Sequence, residues 1–437
     1  MRIKITLLLL FISSLSAYDL KMTVKELLST NPTILERLQN YQATQKNITK
    51  AESEYYPSID LSLGYGIENT EQKKSNQNTQ LSVYQNSLKY TQNLFNGFGT
   101  KYRVKEEEYK SVAAAYSYIE AVNNTTFEMT NSYIQVMQNQ ELLSTAQENV
   151  TINEDIAQKV RKLYDAGLTT LSEVNKIESS LALAKANLVV QENTILNVAY
   201  TFEKILGRNI DPTKMKKPLI MVKFPNKREE AVNFAIKNNP SLLVNLFNIK
   251  SLQATKQKAS SLFYPKLDVV VSQTMSKNLG AIEGENSKFQ AMAYLSYNLF
   301  NGFSDSATLQ QSATNIQKEI EVQNALKRNV IESFNLSWAA KTKLQEQLHY
   351  LKEYRNFSLQ TLDLYSKEYD LGRRSLLDLL SAQNDFIKAK AQIIKTEYTL
   401  LSSKYKILYN MGTLVMTLLD NTAIVYTTVD LNNSMQR

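Results

Sequence analysis

The chain contains no cysteine, one histidine, one tryptophan, seven prolines and eleven glycines in 437 residues. Without cysteine there are no disulfides, so stability must come from packing and assembly, and no lipid is expected on an N-terminal cysteine. The lone His349, with no cysteine and no glycine-rich phosphate loop near it, gives metal or nucleophilic chemistry little to stand on. A structural role is expected for it, with no catalytic residue, metal site or cofactor anywhere in the chain. Few glycines and prolines allow long uninterrupted helices. After residue 17 no run of 18 apolar residues occurs, so no helix is expected to cross a membrane. Nor is there a basic block dense enough for nucleic acid. Setting aside Arg2 and Lys4 leaves 48 Lys+Arg against 42 Asp+Glu, a net charge of only +6.

What is present begins with residues 1–17, which read as an export signal. Arg2 and Lys4 are its charged start, Ile5 to Ile12 its apolar stretch and Ser14-Leu15-Ser16-Ala17 a small-residue cleavage site. The mature chain would begin near Tyr18 and be either periplasmic or carried in the outer membrane as a barrel.

The chain is also written twice. Asn31-Pro32 recurs as Asn239-Pro240 and Tyr56-Pro57 as Tyr264-Pro265, offset by 208. Leu94-Phe95-Asn96-Gly97-Phe98 recurs as Leu299-Phe300-Asn301-Gly302-Phe303, offset by 205. Tyr164-Asp165-x-Gly167 recurs as Tyr369-Asp370-x-Gly372, and Gly207 as Gly412, again at 205. The three-residue difference belongs in a loop. The expected segments are a first repeat at 18–207, a linker at 208–228, a second repeat at 229–413 and a tail at 414–437.

Each repeat predicts the same order. A helix starts near Val24 or Glu229 and runs to the Tyr-Pro, where proline ends it. Strict alternation follows: Ile59, Leu61, Leu63, Tyr65 and Ile67 against Ser58, Asp60, Ser62, Gly64 and Gly66. Leu267, Val269, Val271 and Met275 alternate similarly with Lys266, Asp268 and Ser272. Eleven or so residues at this period suit a tilted bilayer-crossing strand. The hairpins are placed at 57–95 and 265–300, around polar loops at Glu68–Thr79 and Ser276–Ser287. A long helix then runs to a glycine turn, at 165–168 or 370–373. At about 1.5 Å per residue it would reach about 100 Å. The return helix carries a seven-residue stripe, Val174, Leu181, Leu188, Ile195 and Phe202, repeated as Leu379, Phe386, Ile393, Leu400 and Ile407. Small partners such as Ala184, Ala382, Ala389 and Ser403 let helices approach, so coiled-coil packing is predicted.

Four strands cannot close a barrel, and lipid tolerates no open edge. Three copies give twelve strands, an allowed even number around a lumen. The fold class predicted is therefore α+β, a trimeric 12-stranded β-barrel continued by a long antiparallel α-helical coiled-coil barrel, with internal duplication.

The paired Leu-Phe-Asn-Gly-Phe junctions, and the Tyr-x-x-Gly turns with an acidic residue six positions on, resemble the TolC-like outer-membrane factor family over nearly the whole mature chain. That resemblance implies an outer-membrane channel of a Gram-negative bacterium extending into the periplasm. It implies a homotrimer docking on a periplasmic adaptor and an inner-membrane pump, either an ABC transporter or a proton-driven one. It also implies a periplasmic end latched by side chains matching Tyr369, Arg374, Glu173 and Ser172. Asp378 matches a pore-lining aspartate, whose three copies would form a cation-selective ring. Where the family often has a second aspartate, Ser381 stands here, which predicts weaker block by polyvalent cations. Gly167, Leu168, Gly372 and Arg373 match the adaptor-docking tips. Ordinary surface ion pairs and purely structural turns are the plainer readings of the same residues. The basic segment Lys214–Arg228 is read as a solvated linker, and Trp338 as a packing residue.

The function expected is a passive exit duct of a tripartite export system, gated at its periplasmic tip and without chemistry of its own. The motifs lean slightly toward type I protein secretion over small-molecule efflux. The alternative is a periplasmic coiled-coil scaffold or adaptor without a membrane barrel, which leaves four alternating segments unexplained.

Overall fold

A computed structural model describes residues 19–72, 77–218, 225 and 227–419. The expected export signal, residues 73–76 of the first polar loop, 219–224 and 226 of the linker, and 420–437 of the tail lie outside the described residues. The first half runs α1 (Leu20–Thr30), α2 (Pro32–Glu52), β1 (Ser58–Gln72), β2 (Gln77–Asn96), α3 (Gly99–Asp165) and α4 (Leu171–Leu206). The second repeats that order as α5 (Arg228–Asn238), α6 (Pro240–Ser260), β3 (Lys266–Lys277), β4 (Glu285–Ser296), α7 (Ser304–Asp370) and α8 (Leu376–Asn410), then adds α9 (Leu414–Leu419).

The single opening helix predicted for each half is two helices. Asn31 and Asn239 are extended, with ψ of 123° and 124°, because a residue before proline is pushed out of helical backbone. Asn31 Oδ1 accepts from the Thr33 and Ile34 amides, while its Nδ2 donates to the Ile205 carbonyl at 3.1 Å. Asn239 Nδ2 donates to the Asn410 carbonyl at 3.2 Å. The Asn-Pro landmark thus ties the start of each half to the end of its own return helix.

Two compact units are present, and each draws on both halves. One, formed by the described residues of 37–118 and 241–326, holds a four-stranded antiparallel sheet in the order β1-β2-β3-β4. The β2–β3 pairing joins the two hairpins, with Tyr90 opposite Val271 and a bulge between Asn93 and Phe95. Register aligns Ile59, Leu61 and Leu63 with Tyr90, Leu88 and Asn86 on one face, and Asp60 and Ser62 with Lys89 and Ser87 on the other. The apolar row of β1 is open, from Leu61 at 66% exposure to Tyr65 at 83%. The strands run on into the expected polar loop, since β1 and β2 stay paired through Gln72 and Gln77. Polar residues do not interrupt a ladder made of backbone groups. The second hairpin is shorter, with 12 residues in each strand, which places the three-residue length difference in the first.

At both strand-to-helix junctions the glycine and the phenylalanine after it take positive φ: 66° and 67° at Gly97-Phe98, 56° and 64° at Gly302-Phe303. Phe95 meets Phe98 edge-to-face, and Phe300 meets Phe303 in the same way, both at 5.3 Å. A Cβ on Gly97 would lie 2.6 Å from the Ser261 carbonyl oxygen and 2.7 Å from Tyr264 Cβ, whereas one on Gly302 would meet nothing. Nearby, the buried Glu106 of α3 holds Lys110 at 2.6 Å and Lys258 of α6 at 2.5 Å.

The other unit, formed by the described residues of 19–36, 119–240 and 327–419, is helical. Its core includes Tyr133, Phe202, Tyr398 and Tyr405. The predicted seven-residue stripes of α4 and α8 are buried or half-buried at every position, and Ala184, Ala382, Ala389 and Ser403 are buried. Among the described residues no helix is long and apolar enough to cross a membrane.

Candidate functional site

The two glycine turns lie in the helical unit and are built alike. Helix α3 ends with Gly167 at φ 73°, its N–H donating to the Tyr164 carbonyl and that of Leu168 to Leu163, each at 2.8 Å. Helix α7 ends with Gly372 at φ 68°, with Gly372 bonded to Tyr369 at 2.9 Å and Arg373 to Glu368 at 2.8 Å. Both pairs of bonds close a Schellman motif, in which a left-handed glycine lets the last carbonyls be satisfied. Nothing stands within 4 Å of a Cβ on either glycine, and Leu168 and Leu371 are 74% and 68% exposed. The tips therefore present an open backbone turn and an apolar side chain.

The return helices begin with side-chain N-caps. Thr170 accepts from the Glu173 amide at 3.4 Å, and Ser375 from the Asp378 amide at 3.2 Å. The acids face back: Asp378 accepts from the Ser375 hydroxyl at 2.8 Å, and Glu173 from the Thr169 hydroxyl. A carboxylate at N3 also favours the positive end of the helix dipole. Both acids predicted to gate or select thus have a local structural task. The signal was visible in the sequence as Thr-x-x-Glu and Ser-x-x-Asp.

The remaining tip residues divide. Tyr369 is 8% exposed and packs with Ile177 and Leu181 of α4 and Leu376 and Leu379 of α8. Burial chiefly raises its pKa, with the Glu173 and Asp370 carboxylates adding to the shift. Arg374 instead pairs with Glu368 of its own half at 2.8 Å and lies 4.1 Å over the Tyr365 ring. Lys159 of α3 ties to Asp370 at 3.1 Å, a cross-half contact that was not singled out from sequence. Ser172, Arg373 and Ser381 are exposed, and Asp378 is half-exposed.

Above the tip the two halves are joined along α3 and α8. Asn131 accepts from Ser402 at 2.8 Å, Glu141 from Tyr398 at 2.5 Å and Asn149 from Gln383 at 3.1 Å, while Glu148 forms an ion pair with Lys390. The Lys214–Arg228 segment is more than a solvated linker where it is described. Tyr133 donates its hydroxyl to the Lys216 carbonyl at 2.6 Å and accepts from the Lys216 amide at 3.0 Å. Burial pushes the Tyr133 hydroxyl up to about 12. Lys217 reaches both Glu141 and Glu397 at 3.4 Å and lies 4.5 Å over the Tyr398 ring. Trp338 stacks on Phe334 at 5.9 Å, as a packing residue should. His349 lies exposed, 3.5 Å from Glu353, rather than in a core.

A model of the outer membrane efflux protein family matches residues 23–208 and again 231–412, following the two halves. The chain is similar to the outer membrane efflux protein BepC of Brucella suis, 20% identical over 369 residues, covering 84% of this chain and 79% of that protein. It is also similar to the outer membrane protein TolC of Escherichia coli, 22% identical over 426 residues, covering 92% and 84% respectively. Among solved structures, the outer membrane protein VceC of Vibrio cholerae shares the fold with a TM-score of 0.77 at 14% identity, over 90% of this chain and 96% of that one. Two four-strand-forming hairpins, two 67-residue helices and a doubled family match agree: the chain belongs to the outer membrane efflux protein family, whose members are exit ducts in the outer membrane.

Proposed function

We propose that this chain forms its duct as a homotrimer, docks a periplasmic adaptor on its glycine turns and passes substrate delivered by an inner-membrane pump. The observation that carries the proposal is the open sheet. Among the described residues strands β1 and β4 each pair on one side only, and the apolar row of β1 is bare on one face. In lipid such edges must find partners, and only further copies offer the same strands. Three copies give twelve strands. Gly167, Leu168, Gly372 and Arg373, at open turns, are the docking points. Asp378 would line the narrowest part of the pore, near Ser381. Tyr369 with Glu173 and Ser172, and Arg374 held in reserve on Glu368, would form the latch. A partly exposed latch of that kind is weak enough for an adaptor to break. The device conducts and does no chemistry. Nothing in it needs a catalytic group.

Membrane extraction and native mass test this directly. A barrel stays with membranes in high salt, leaves only in detergent and has the mass of three chains. Release by salt as a single chain would favour the periplasmic scaffold. Cargo is a separate matter. Loss of secreted proteins on deleting the chain would mark protein export, and a fall in inhibitory drug concentrations would mark efflux.

A further inference from the structure

Helices α3 and α7 each have 67 residues, and a shift of 205 carries Gly99–Asp165 onto Ser304–Asp370. The same shift carries α4 onto α8. Within the chain, the descending helix of the first half (α3) meets the ascending helix of the second (α8) through the ladder described above. Shifting that ladder names partners for the helices left over, α7 and α4. Glu148 and Lys390 become Glu353 and Lys185. Glu141 and Tyr398 become Glu346 and Asn193, and Asn149 and Gln383 become Tyr354 and Glu178. Three of the four shifted pairs remain complementary: carboxylate with ammonium, carboxylate with amide, phenol with carboxylate; the fourth, Asn131 with Ser402, becomes Leu336 with Asn197 and does not.

Exposure follows the same logic. On α8, Ile394 and Tyr405 are 7% and 2% exposed, whereas their α4 equivalents Val189 and Tyr200 are 63% and 61% exposed. Thr145 of α3 is 3% exposed, and Tyr350, its equivalent on α7, 60%. Leu336, Tyr350, Phe357 and Leu364 continue that bare row at multiples of seven. The strand-to-helix junctions repeat the pattern. Ser261 and Tyr264 close on Gly97, nothing closes on Gly302, and the duplicates of those two residues are Ser53 and Tyr56.

We infer that Glu353 on α7 of one copy forms an ion pair with Lys185 on α4 of the next, in the register that Glu148 and Lys390 set inside each chain. At the junction, Ser53 and Tyr56 of one copy close on Gly302 of its neighbour. The contact is head-to-tail, so it repeats around a ring and closes when the rotation allows. It rests on the trimeric duct proposed above, and adds which residues set the order and register between copies. In the isolated chain Lys185 reaches Glu154 at 2.9 Å, with both side chains about half exposed, and Glu353 has His349 as its neighbour. Both are available to a second copy.

The absence of cysteine makes the test clean. K185C/E353C protein, purified in detergent and treated with a short bismaleimide, should give covalent species of up to three chains on a denaturing gel. E148C/K390C should link within one chain and keep single-chain mass. A second assay follows heat dissociation of the assembly: K185E and E353K should each lower its midpoint, and K185E/E353K should recover it. If wild-type protein has the mass of three chains and E148C/K390C links, but K185C/E353C gives only single chains and the double swap recovers nothing, the pairing is overturned while the duct stands. A single-chain mass for the wild type would overturn the duct itself.

Discussion

Gly97 gives the sharpest energetic test of the strand-to-helix junction. Replacing it by alanine puts a Cβ on a residue at φ 66°, 2.6 Å from the Ser261 carbonyl oxygen and 2.7 Å from Tyr264 Cβ. The left-handed backbone alone costs about 1–2 kcal/mol for a residue with a side chain. The overlap is with backbone and a Cβ rather than a flexible end, so neighbours must move at a further cost of about 1–3 kcal/mol. Set against about 0.4–1 kcal/mol from the smaller entropy of the unfolded chain, Gly97→Ala should therefore lose about 1–4 kcal/mol. Gly167→Ala is the internal standard: φ is 73° but nothing stands within 4 Å. Only the backbone term applies there, and it is partly offset by the smaller entropy of the unfolded chain, leaving about 1 kcal/mol. Thermal midpoints followed by far-UV circular dichroism in detergent should rank wild type, then Gly167→Ala, then Gly97→Ala well below. Equal midpoints for the two variants would refute the close approach of Gly97 to the Ser261 turn.

Other expectations are as specific. Tyr133→Phe leaves the Lys216 amide and carbonyl without their partner, which should cost about 1–3 kcal/mol and speed proteolysis after the linker lysines. For Glu106, burial alone would raise the pKa, but hydrogen bonds from Lys110 and Lys258 outweigh it and the folded value is lowered. Its contribution is therefore full above the ordinary value of 4.5 and lost as pH falls through the lower folded value, so Glu106→Gln should be less stable at neutral pH and show a shallower loss in acid. Asn239→Ala removes the bond to the Asn410 carbonyl and should cost about 1–2 kcal/mol, read as faster amide exchange at the α8 end. Lys159→Ala deletes an exposed cross-half tie, so its effect on stability should stay under about 1 kcal/mol, while tip opening, read by proteolysis at the turns, should rise.

The architecture was legible because it rests on features that local sequence carries. Alternation from Ile59 to Ile67, proline after Tyr56, and left-handed glycines at 167 and 372 each act within a few residues, and the duplication let every reading be made twice. The break at Asn31-Pro32 lay outside the expectation of one continuous helix, although the residue before Pro32 faces the same steric limit as the one before Pro57. Strand ends were misplaced because Glu71 and Gln72 are polar, and pairing of backbone groups does not depend on that. At the tip, the residue types were legible and the partners were not. Arg374 has Glu368 six residues away and Tyr365 nine away, so local geometry satisfies it first, whereas Lys159 meets Asp370 only once the halves pack. The same holds for Lys217, whose charge suggested solvent but which bridges two helices.

The central claim, a gated duct through the outer membrane, is tested most directly by single-channel conductance of the detergent-purified protein in a planar bilayer. A small, steady, cation-selective current is expected, with larger current in an Arg374→Ala variant and weaker cation selectivity in Asp378→Asn. No current from folded, membrane-extracted protein, and none from Arg374→Ala or Glu173→Ala variants either, would contradict a channel.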